Sequence, residues 1–117
     1  MADARRDILP NRRRSETFEF EAGVPGYPSQ HYVATLGFYP DGRLGEVFLH
    51  PCKTGSDKDI AVQETAIAVS FALQHGCAVE MISAAMPRTT DGAAEGPMGT
   101  LLDALAADRP TKHGTAK

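Results

Sequence analysis

Apolar and polar residues alternate along the first half of this chain and recur at helical spacing along the second. That change of period is what most narrows the folds open to it. Phe18, Phe20 and Ala22 alternate with Thr17, Glu19 and Glu21. Tyr32, Ala34, Leu36 and Phe38 share one face of the stretch 31–38, and in 44–50 Val47 and Leu49 oppose Glu46 and Phe48. A period of two belongs to a half-buried strand. Pro40-Asp41-Gly42 lies between the second and third runs. There Pro fixes φ, Asp bonds back to the chain and Gly supplies a positive φ, so the pair is a hairpin. With 17–22 it forms a predicted three-stranded antiparallel meander.

Helical spacing begins after Ser56. Ser56 or Asp59 can cap a helix over 60–74, where Val62, Ala66, Val69 and Leu73 make one stripe. Ile60, Ile67 and Phe71 lie close beside that stripe, so the apolar surface is wide and the helix is predicted to be central and well buried. Gly76 is placed to end it, with His75 at the negative end of its dipole. A short helix over about 79–86 stops at Pro87, and a third runs from about Pro97 to Ala107 with Met98, Leu101, Leu102 and Leu105 on one side. Strands first and helices after define an α+β domain, the long buried helix and two shorter ones packed on one face of the sheet.

The chain has 117 residues, the size of one domain, and its 42% hydrophobic content suits one core. No apolar run is long enough to cross a membrane, and the charged first residues lack the apolar segment of a secretory signal. A cytoplasmic protein with two free thiols, Cys52 and Cys77, is therefore expected. Three parts are predicted: a basic arm over 1–15, the α+β domain over 16–107 and a frayed polar tail over 108–117. The net charge of −3 gives the surface as a whole no affinity for nucleic acid. The arm is different, because Arg5, Arg6, Arg12, Arg13 and Arg14 can grip phosphates or an acidic partner. A solvated tail is the preferred reading, since no aromatic is interleaved with those arginines.

Three constellations carry candidate chemistry. His50-Pro51-Cys52 and His75-Gly76-Cys77 together make a Cys2His2 set that zinc would accept if the end of the last strand met the end of the long helix. Zinc motifs usually separate paired ligands by two to four residues, so no metal is expected and His75 and Cys77 read as a helix-end cation and a small hydrophobe. Lys53, Gly55 and Ser56 precede the long helix, where backbone N–H groups and a lysine can hold an anion or nucleotide. The order of a Walker loop is missing, Asp57 and Asp59 oppose an anion, and a plain capped helix start is the simpler reading. Neither cysteine has the oriented base that nucleophilic catalysis requires, so no catalytic residue is assigned.

Three stretches, 6–14 (RDILPNRRR), 33–49 (VATLGFYPDGRLGEVFL) and 53–80, the last with Gly55-Ser56 and Ser70-x-x-Leu73-Gln74-His75-Gly76, together resemble a known family. This is the TSCPD domain, the small C-terminal domain of adenosylcobalamin-dependent class II ribonucleotide reductases. The resemblance spans about residues 5–99 and implies an α+β accessory domain in free-standing form. The family's radical chemistry, reducing cysteines and cobalamin site belong to a large barrel domain that a chain of this length does not hold, so the resemblance implies a non-catalytic binding module. The namesake Thr-Ser-Cys-Pro-Asp motif is absent: Arg88-Thr89-Thr90-Asp91 has no cysteine. Lys53, Gly55, Ser56, Ser70, Gln74 and Gly76 carry over as family positions, most of them read as structural. The implied partner is a reductase, a nucleotide, a nucleic acid or a second copy of the chain. Two alternatives are a small subunit completing a split reductase and an interaction module working through the arginine arm.

Overall fold

A computed structural model of the chain describes residues 5–23, 28–52 and 57–112, the side chains of 57–59 and 108–112 excepted. Three strands, β1 (Ser15–Ala22), β2 (Gln30–Phe38) and β3 (Leu44–Pro51), precede three helices, α1 (Asp57–Gln74), α2 (Val79–Ala85) and α3 (Pro97–Lys112). The strands form an antiparallel meander in the order β1-β2-β3. The fold is thus the α+β arrangement that the two periods predict. At the hairpin, Gly42 has φ 95° and its N–H donates to the Tyr39 carbonyl, while Asp41 accepts from the Arg43 N–H.

Register sorts the side chains into two faces. Phe18 lies opposite Ala34 and Phe20 opposite Tyr32; Leu36 lies opposite Val47 and Ala34 opposite Leu49. Residues directly opposite in an antiparallel pair share a face, so these line the side on which the helices pack. Ala34, Leu36, Val47 and Leu49 are buried there with Ala66, Val69 and Leu73 of α1 and Met98, Leu101 and Leu102 of α3. The other face carries Thr17, Glu19, Glu21, His31, Val33, Thr35, Phe48 and His50, and among the described residues no helix or strand covers it.

The long helix is less enclosed than its composition predicts. Val69 and Leu73 are buried, but Ile60, Ile67 and Phe71 are 60%, 54% and 44% exposed. At 100° per residue, Ser70 and Gln74 fall between the two apolar sets. Both are buried and bonded to β3, so they mark the line where α1 passes the sheet edge, and Ile60, Ile67 and Phe71 overhang it. Gly76, at φ 93°, ends α1 as predicted, with the Cys77 N–H donating to Ala72 and the Gly76 N–H to Leu73, a Schellman closure. The third helix extends past the expected end at Ala107 to Lys112, so the tail predicted from 108 is helical for its first residues.

The arm also departs from the expected solvated tail. Leu9 is buried, the Asp7 N–H donates to the Gln74 carbonyl, and the Arg14 carbonyl accepts from the Phe38 N–H. Residues 5–14 therefore lie along the domain, with Leu9 inserted as an apolar anchor.

The asymmetry of α1 is open to measurement. Leu73→Ala removes a buried aliphatic and is expected to cost about 2–5 kcal/mol in urea unfolding. Ile67→Ala, at an overhanging position, should stay within about 0.5 kcal/mol of the parent. Equal costs would put both residues in one core.

Candidate functional site

The densest polar arrangement lies where the end of α1, the start of β3 and the arm meet. Leu36 and Val47 are opposite one another. The Val47 N–H donates to Ser70 Oγ at 2.9 Å, and that hydroxyl donates to the Val47 carbonyl at 3.0 Å. Val47 therefore turns its backbone groups away from β2, toward the open side of the sheet. One hydroxyl, acting as acceptor and donor, closes that edge. The next outward carbonyl along β3, that of Gly45, accepts from Gln74 Nε2 at 2.9 Å.

Gln74 then carries the arm. Its Oε1 accepts from Arg6 Nε, and its carbonyl accepts from the Asp7 N–H. The Arg6 guanidinium lies over the Phe71 ring at 4.5 Å. The Tyr39 hydroxyl donates to the Asp7 carbonyl, and burial pushes that phenol's pKa up, so it remains a donor at neutral pH. Arg43 lies over the Tyr39 ring and binds Asp7 and Asp41 at 2.9 and 2.8 Å. Leu9 packs against Gly45, where a Cβ would stand 2.7 Å from Leu9 Cδ2 and from Tyr39 Cε2. Arg13 grips Glu46 with two N–H groups, at 2.6 and 3.2 Å. The Glu46 side chain lies across Gly37, where a Cβ would fall 2.2 Å from Oε2.

A second cluster ties α2 to α3. Arg88 donates to both Asp103 oxygens at 2.9 and 2.8 Å and to the Ser83 carbonyl, and Ser83 Oγ donates to Asp103. The guanidinium, with help from the serine hydroxyl, lowers the Asp103 pKa to about 2. Between the starts of α1 and α3 lies a cavity of about 240 Å3, lined largely by apolar groups of Leu49, Val62, Thr65, Met86 and Met98. It is smaller than the roughly 300 Å3 at which small-molecule sites begin.

The residues singled out in the sequence have different fates. Lys53, Gly55 and Ser56 lie outside the described residues. Arg6, Arg13 and Arg14 are engaged by Gln74, Glu46 and the Phe38 ring, and Arg5 also has a partner, so the arm's arginines serve largely to hold it down. Gln74 and Ser70 bind the edge of β3.

The two His-x-Cys pairs do not meet. α1 runs antiparallel to β3, so Gln74 stands beside Gly45, and His50 is about 17 Å further along the strand at 3.4 Å per residue. The end of β3 faces the start of α1, because the helix doubles straight back. No three His, Cys, Asp or Glu side chains among the described residues are placed to hold a metal ion. Both cysteines are free thiols, Cys52 exposed and Cys77 partly buried. Tyr39, Glu46, Ser83 and Asp103 escaped sequence reading, since their pairing depends on contacts between distant segments. No described helix is long and apolar enough to cross a membrane.

The TSCPD domain family model matches residues 4–107. The chain belongs to the TSCPD-domain family. Among curated relatives, it is 39% identical over 79 residues to the vitamin B12-dependent ribonucleotide reductase of Rhodopirellula baltica, a match covering 67% of this chain and 7% of that protein. The like-named protein of Agrobacterium fabrum is 39% identical over 75 residues, 64% of this chain and 6% of the relative. That of Bradyrhizobium diazoefficiens is 41% identical over 71 residues, 61% and 5%. The chain thus spans less than a tenth of the length of these reductases. No solved structure matches.

Two outcomes check this anatomy. Ser70→Ala strands the buried Val47 N–H and carbonyl and should cost about 2–4 kcal/mol, more than a typical single hydrogen bond. A cost below about 0.5 kcal/mol would show that water replaces the hydroxyl. The second concerns acid. Asp103 has a depressed pKa in the folded chain, so its contribution is present above the ordinary carboxylate pKa and is lost as pH falls toward about 2. The stability gap between parent and Asp103→Asn should therefore narrow from pH 4 to pH 2. It should be modest, because the pair is partly exposed. A gap that is constant across this window would contradict the Arg88–Asp103 pairing.

Proposed function

We propose that this TSCPD-family chain is a non-catalytic accessory module that acts by binding a B12-dependent ribonucleotide reductase. The observation that carries the reading is the coverage: 61–67% of this chain aligns with 5–7% of each reductase. A segment that small leaves more than nine-tenths of each relative without a counterpart in this chain, which supports an accessory role over a complete reductase. The overhanging stripe of α1 supports the same reading. Ile60, Ile67 and Phe71 present apolar surface past the sheet edge, the kind of surface that a partner covers. The second reading, a small subunit that completes a divided reductase, draws on the same coverage.

One assay separates the readings. The purified chain is added to a B12-dependent reductase from its own host, and complex formation is read by native mass spectrometry alongside turnover. Binding that alters turnover of an already active enzyme is expected. Ile67→Glu should weaken the complex by about tenfold or more, since a buried carboxylate without a partner is costly, while leaving the monomer folded. A reductase that is inactive until the chain is added would favour the divided-subunit reading. A reductase that neither binds the chain nor changes rate would overturn both.

A further inference from the structure

The two edges of the sheet are treated differently, and the open one has a sharp chemical character. The Phe38 N–H donates to the Arg14 carbonyl, so the even-numbered residues of β2 turn their backbone groups toward β1. Their partners Glu16, Phe18 and Phe20 complete those bonds. By alternation, Ser15, Thr17, Glu19 and Glu21 turn their N–H and carbonyl groups outward. Among the described residues no strand or helix meets these groups, whereas Ser70 and Gln74 occupy the corresponding groups of β3. β1 is therefore an eight-residue edge with a free ladder.

Its side chains define what fits beside it. On one face Phe18, 36% exposed, and the half-buried Phe20 offer apolar surface continuous with the core. On the other, Glu19 and Glu21 stand in a row, and Glu16 adds a third carboxylate to the strand. Glu16 and Glu19 have no ion-pair or hydrogen-bond partner among the described residues, while Glu21 meets Ser29 and His31. A second copy of β1 laid antiparallel against this edge would bring the two Glu19 side chains opposite or diagonal to one another in either register of fullest overlap, which is unfavourable. The same row attracts the opposite charge.

We propose that the β1 edge takes up an extended basic segment of a partner protein by strand addition. Apolar residues of that segment lie beside Phe18 and Phe20, and lysines or arginines, alternating with them, face Glu19 and Glu21. Main-chain bonds to Ser15, Thr17, Glu19 and Glu21 supply affinity, and the charge row supplies selection. The inference rests on the binding-module reading but uses a different surface from the α1 stripe.

The test is an NMR titration of the isotope-labelled full chain with a synthetic peptide alternating lysine and valine, at low ionic strength. Slowed amide exchange at Ser15, Thr17, Glu19 and Glu21 is expected. Binding should be at least about tenfold tighter than for a glutamate–valine peptide. The lysine peptide N-methylated along its bonding edge should bind the unaltered protein at least about tenfold more weakly, because it lacks the donors. Thr17→Pro removes an outward N–H without touching the β2 ladder and should weaken binding to a similar degree. Absence of binding, protection elsewhere on the chain, equal affinity for the glutamate peptide, indifference to methylation, or a dimer formed through β1 would each overturn the proposal. Reductase binding that Ile67→Glu weakens, together with no peptide binding at β1, would remove this inference and leave the proposed function. The reverse pattern would remove the function and leave the edge.

Discussion

The hydroxyl of Ser70 is the contact on which the placement of α1 depends. An antiparallel edge strand leaves every second residue with an unpaired donor and acceptor, and a buried one costs about 1–3 kcal/mol per group if unmet. At Val47 both groups are met by one side chain. The geometry that allows it is a matching of repeats. Four helical residues advance about 6 Å and two strand residues about 6.8 Å, so a helix antiparallel to the strand presents i and i+4 to alternate edge residues. Ser70 and Gln74 are those two positions, and Val47 and Gly45 their partners. One step back, the same series reaches Ala66, which has no polar group to offer. In that direction the edge residue is Leu49, which lines the small cavity.

The docking of the arm follows from that closure. Gln74 uses its amide nitrogen on Gly45, and this fixes the amide so that its oxygen faces Arg6. The absence of a side chain at Gly45 makes room for Leu9 and Tyr39. The absence of one at Gly37 lets Glu46 lie flat where Arg13 takes hold of it. Two glycines on the strands thus decide where a basic segment lies, although they make no polar contact of their own with it. A charged tail that would otherwise be solvated is held because its charges are matched where they land.

Much of this fold is legible in the residues, and what is hidden has a physical cause. The meander is written in the alternation of Tyr32, Ala34, Leu36 and Phe38, because sheet faces have a period of two regardless of what covers them. Gly42 and Gly76 are legible because positive φ leaves few other residues suitable. The apolar width of α1 overstates its enclosure: Ile60, Ile67 and Phe71 adjoin the buried stripe, and nothing local tells where the sheet beneath a helix stops. The clue was polar. Ser70 and Gln74 interrupt the apolar surface at the angle where the edge lies. The zinc reading of His50, Cys52, His75 and Cys77 assumed that two chain segments end together, whereas a helix that returns along its own strand sets those ends apart. Lys53, Gly55 and Ser56 lie outside the described residues, so the anion-binding reading of them stays an expectation from sequence.

The unequal treatment of the two edges is a consequence of chain order. β3 leads into α1 after a short connection, so the helix lies over β3 and overhangs its edge. β1 is preceded by the arm, which could in principle have covered its own strand. Residues 5–14 do not, because from Arg14, bonded to Phe38, they cross the sheet end past Tyr39 and Gly45 to reach Gln74. The segment that might have paired with β1 is thereby committed to the opposite edge. Among the described residues, what is left along β1 is a ladder protected by charge alone, with Glu16, Glu19 and Glu21 in place of a covering element. Protection by charge differs from protection by a helix in one respect: it excludes strands of like sign and admits those of opposite sign.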